Sequence, residues 1–159
     1  MFSLGVSSPV VPDYPSVKKF LTAARREFSF LVSDFGFVEE HLPIDPKKNP
    51  FKVAYTTDTT RVTVEGINWG TNVQVMLLAV TPTSNVPARV PFWAVVEVRA
   101  PHERDLPAGQ LLQLTHNARL LRLYASDILR GDFSVFPAAC RIIDKHAETL
   151  AQPPQRKLP

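Results

Sequence analysis

The chain has 159 residues, enough for one domain that buries roughly two-thirds of its unfolded surface without disulfide or metal staples. Apolar residues make up 45% and charged residues 21%, a globular balance that excludes a disordered or fibrous chain. The formal charge is only +3, from 18 basic and 15 acidic residues, and its basic pairs never interleave with aromatics, which excludes a single-strand nucleic-acid groove.

Residues 1–14 hold Pro9 and Pro12 and read as a loose arm. They have no basic leader and no continuous apolar stretch, so no secretory signal is expected there. A single cysteine, Cys140, forbids an intrachain disulfide and fits a reducing compartment. The longest strongly apolar run, "VMLLAV" at 75–80, is far shorter than the roughly 20 residues of a membrane helix. A cytoplasmic location is expected.

Pro15 suits the first turn of a helix. From there Val17, Phe20, Leu21, Ala24, Phe28, Leu31, Val32 and Phe35 recur at spacings of three and four, which predicts one helix of about five turns. Gly36 ends it in the left-handed conformation. Pro43, Pro46 and Pro50 mark a loop over 38–50. The period then falls to two at Phe51, Val53 and Tyr55, again at Val62 and Val64, and again at Val73, Val75 and Leu77. These are three antiparallel strands with one buried face. A proline-rich loop over 81–91 leads to "FWAVVEVRA" at 92–100, whose β-branched and aromatic content predicts a fourth strand with Trp93 in the core.

Helical spacing returns at Leu111, Leu114, Ala118, Leu121, Ala125 and Ile128, widened by Leu112 and Leu129. A last helix over 137–150 turns Ala139, Ile142, Ile143, Ala147 and Leu150 inward, and "QPPQRKLP" at 152–159 reads as a disordered tail. The expectation is a single α+β domain over 15–151: an N-terminal helix, a four-stranded antiparallel sheet and two C-terminal helices packed on one sheet face.

Between those helices stands "LRGDFSVFP" at 129–137. Arg130-Gly131-Asp132 spells a cell-adhesion tripeptide, but the same letters make a helix joint. Gly131 supplies a left-handed stop, Asp132 caps the amides that follow and Pro137 opens the next helix.

Motifs for chemistry are absent. The sequence contains no G-x-S-x-G and no Gly-rich phosphate loop, and His41, His102, His116 and His146 lack metal-ligand spacing. No catalytic residue, metal or cofactor is assigned. "HERD" at 102–105 reads as a solvated loop, and Cys140 as a small apolar residue. The candidate binding groups are Glu39 and Glu40, an acidic edge suited to a basic partner, with Asp58 near them, and Trp69, an aromatic between Gly66 and Gly70 at a hairpin tip.

Three stretches carry a resemblance: "EFSFLVSDFGF" at 27–37, "VAYTTDTTRVTVEG" at 53–66 and "LTHNARLLRLYASDILRGDFSVFP" at 114–137. In this order they resemble the opening helix, the following hairpin and the closing segment of a group of small bacterial α+β proteins. These look like immunity proteins of contact-dependent growth inhibition and related polymorphic toxin systems. The resemblance implies a partner, the cognate toxin domain, whose active site the protein blocks, without nucleic acid, membrane or cofactor. Immunity proteins against nucleases are usually acidic. A +3 chain of this kind implies a local acidic patch, or a toxin blocked away from its nucleic-acid groove. Two other readings stay open: a small enzyme or ligand-binding domain with a pocket between sheet and helices, using His102, His116 or Tyr55, and a secretion chaperone or adaptor.

Overall fold

The structure is a computed structural model that describes residues 16–43, 45 and 47–152. The arm, Pro15 and the tail beyond residue 152 lie outside the described residues.

Helix α1 (Val17–Glu27) is capped by Ser16, whose Oγ accepts from the Lys19 amide at 3.4 Å, and it buries Phe20, Ala23 and Ala24. The single five-turn helix expected from the sequence breaks at Phe28 (φ −95°, ψ 11°), and α2 (Ser29–Phe35) follows. One straight stripe cannot turn Phe28, Phe30 and Leu31 inward together. The break does so, and leaves Val32 half exposed. Gly36 closes α2 at φ +72°, as its position predicts.

The sheet is an antiparallel meander of five strands: β1 (Val38–Glu39), β2 (Lys52–Thr56), β3 (Thr60–Ile67), β4 (Asn72–Ala79) and β5 (Arg89–Pro91), in that spatial order. Its inward rows match the period-two reading: Val53 lies beside Val64 and Val75, and Tyr55 beside Val62, Leu77 and Val90. The α+β class therefore stands, but the strands are not the four expected. The segments 38–50 and 81–91, read as loops, each supply a short edge strand.

The segment read as the fourth strand is helix α3 (Phe92–Arg99). It packs against β4 on one side and, further on, against α6 (Phe136–Ala151) on another. Phe92, Ala94, Val95 and Val96 are consequently all buried, and a helix buried on two sides shows no 3.6 period. Its valines read as strand, and tertiary packing overrode that propensity. Trp93 is not core: it is 42% exposed on α3.

A short 3₁₀ turn (Pro101–Glu103) leads to α4 (Gln110–Tyr124), which breaks at Ala125 into α5 (Ser126–Leu129). Leu114, Ala118, Leu121, Ala125 and Ile128 are buried as expected. At the start of α4 the expectation fails: Leu111 and Leu112 face solvent, and Gln110, Gln113 and Asn117 are buried instead. In α6 the inward face runs only to Ile143, and Leu150 is 87% exposed.

The joint at 129–137 is the helix corner that its chemistry predicts. Gly131 has φ +94°, its amide donates to the Ile128 carbonyl at 3.0 Å, and the Asp132 carboxylate accepts from the Ser134 amide at 3.0 Å. Pro137 lies in the first turn of α6.

Candidate functional site

The four residues singled out as binding groups do not form one site. Glu39 lies on edge strand β1, where it meets the Arg25 guanidinium at 2.8 Å. Glu40 accepts two bonds from Arg61, at 2.8 and 2.9 Å, in a bidentate pair. The expected acidic edge is thus neutralised by arginines of the same chain. Asp58 is exposed in the turn before β3, while Trp69 follows the far end of that strand. Seven residue steps of strand put those ends roughly 24 Å apart.

The turn carrying Trp69 is built around unusual backbone. Asn68 (φ 51°), Trp69 (φ 57°) and Gly70 (φ 78°) stand in succession in the left-handed region. Asparagine tolerates this conformation; a tryptophan pays of the order of 1–2 kcal/mol for it. The turn is held from beneath. A side chain at Gly70 would lie 2.7 Å from the Phe51 ring, and one at Gly66 would lie 2.8 Å from Phe51 and the Gly70 backbone. The Gln110 amide donates to the Gly70 carbonyl, and the Gln113 Oε1 accepts from the Val73 amide at 2.8 Å. These polar residues occupy the buried positions of α4 that the leucine pattern had assigned elsewhere. The clamp leaves Trp69 77% exposed at the tip. Such strained backbone persists only where the surrounding structure over-determines it.

Beside this turn a cleft of about 520 Å³ opens between β4, α3, α4 and the segment joining the two helices. Its apolar wall is Val73, Val75, Val96 and Leu120. Trp93 and His146 stand together at its side, ring centres 5.1 Å apart. Glu97, Glu103 and Asp105 bring three carboxylates against one lining guanidinium, Arg104. Glu97 pairs with Arg104 at 3.3 Å, and Glu103 pairs with Arg119 at 3.0 Å, from outside the cleft. The Arg119 hydrogen bond holds the Glu103 carboxyl below its usual range. Asp105 is in no ion pair among the described residues. Asn117 lines the cleft and is only 8% exposed; its Nδ2 donates to the Gln113 carbonyl at 2.9 Å.

The "HERD" segment, read as a solvated loop, is therefore one wall of this cleft. The polar spacing 110-113-117 on the inward side of α4 was the available signal for both the clamp and the cleft. Of the pocket residues considered from sequence, Tyr55 is buried in the core, His102 is exposed outside the cleft, and the His116 Nε2 is buried with no hydrogen-bond partner among the described residues. Burial pushes the Cys140 thiol above its ordinary range, the opposite of an activated nucleophile. Among the described residues no group of three or more His, Cys, Asp or Glu is placed to hold a metal ion, and no helix is long and apolar enough to cross a membrane. No family model matches the chain, and neither a curated protein nor a solved structure matches it.

Proposed function

We propose that the chain is a non-enzymatic binding protein of the immunity type, which captures a cognate bacterial toxin domain in the cytoplasm and blocks its active site. The observation that supports this reading is the Trp69 turn. A large aromatic is held outward on left-handed backbone by Gln110, Gln113 and two sterically required glycines. Rigid, exposed tryptophans are the residues that most often dominate a protein interface. The acids suggested for a basic partner fit this role less well, because Glu39 and Glu40 are already engaged by Arg25 and Arg61. The test is co-expression with the toxin domain encoded beside this chain, scored as growth rescue and as capture of the toxin by the tagged chain. Rescue with nanomolar-class binding is expected. Growth arrest with no captured toxin would sink the reading.

The cleft favours a second reading, a ligand-binding domain. It joins an apolar wall to a few polar groups, within the size range of small-molecule sites.

A further inference from the structure

We propose that the cleft between β4, α3 and α4 is a binding site for a small organic ammonium ion with a flat apolar body. The inference stands apart from the toxin reading and rests on the ligand-binding one, to which it gives a ligand class.

Three features of the wall fit that chemistry. The apolar side, from Val73 to Leu120, removes an aryl or alkyl body from water. The indole of Trp93 offers the π-surface that attracts organic cations most strongly. Glu97 and Glu103 are each paired with an arginine, which leaves Asp105 as the lining carboxylate in no ion pair among the described residues. An anionic ligand would gain the apolar wall but face the Asp105 carboxylate. A neutral ligand gains the wall and leaves the charge unused.

The experiment is a titration of the full chain followed by amide and indole N–H NMR signals. The probes are 2-phenylethylammonium, 2-phenylethanol and phenylacetate, which share a ring and differ in charge. The ammonium probe is expected to move the Trp93 indole signal, to spare that of Trp69, and to bind at least tenfold tighter than the alcohol. Its affinity should fall with added salt, because Asp105 is solvent-exposed. Asp105→Asn, on the surface, should weaken ammonium binding about fivefold or more and leave the alcohol unaffected. Equal binding of all three probes would leave a ligand cleft and overturn the ammonium class. No shift of Trp93 with any probe would overturn both. Binding of a lysine peptide without binding of the free amine would transfer the site to a partner's side chain and end the small-ligand proposal.

Discussion

The two ends of strand β3 are built by opposite rules. At the Thr60 end elements distant in sequence are bonded and packed together. The Thr60 hydroxyl donates to the Ile128 carbonyl at 2.9 Å across 68 residues of sequence, and the Val80 amide donates to the Thr59 carbonyl at 2.8 Å. Gly131 packs so closely that a side chain there would meet Thr59 at 2.9 Å. Behind it Arg99 grips Asp127 with both Nη atoms, at 2.7 and 2.6 Å. At the Ile67 end the same sheet carries a strained turn, an exposed tryptophan, buried glutamines and a cleft. Close packing and direct bonds between elements make the first end a joint. Polar clamping beneath a left-handed turn makes the second end a presenter of groups. The difference teaches where to look for function: the end whose interior is polar and whose backbone is strained is the one not optimised for stability alone.

The strongest way to break this contrast is Gly131→Ala at the closed end. The substitution adds the left-handed penalty to a clash with the branched carbon of Thr59, which is not a flexible tip. A loss of about 3 kcal/mol is expected, or a melting point lower by about 8 °C. A mutant that melts with the wild type would show that this corner is not closed.

The next effect is set by pH. Burial first, then the Glu39 charge, opposed by Arg25, raises the Tyr55 phenol to about 12. The folded state therefore holds the phenolic proton more tightly than the unfolded chain, whose value is about 10. The resulting stability is complete below pH 10 and is lost as pH rises toward 12. Two pH units correspond to about 2–3 kcal/mol. Denaturant titrations at pH 9 and 11.5 should show this loss in the wild type and a smaller one in Tyr55→Phe.

Smaller still is Thr60→Val, which keeps the shape and removes one buried hydroxyl. The Ile128 carbonyl loses its donor, and about 1–2 kcal/mol of stability should go with it. A change below about 0.5 kcal/mol in urea unfolding would mean that water replaces the bond.

Which parts were legible in the sequence follows from how many sides of each element are buried. Strand β4 buries alternate residues, and β2 and β3 depart from that only at Ala54 and Thr63, so their alternation stood out. Helix α3 buries two sides, so its valines imitated a strand. The edge strands β1 and β5, of two and three residues, are too short to show a period. Gly36 and Gly131 announced their left-handed backbone because a helix stripe stopped just before each. The candidate site was harder to read. Trp69 was visible between its glycines, but the arginine partners of Glu39 and Glu40 lie 14 and 21 residues away in sequence. The cleft draws on β4, α3 and α4, so Asn117 and Glu97 acquire their meaning only once the chain is folded.

The Trp69→Gly variant tests the central claim most directly. Glycine accepts the left-handed backbone freely, so melting should stay within about 2 °C of the wild type or rise slightly. Titration calorimetry against the proposed partner, a toxin domain, should then show a loss of at least 2 kcal/mol, roughly thirtyfold in affinity, as expected for an interface anchor. Unchanged affinity in an equally stable variant would contradict the assignment of the open end as the binding surface.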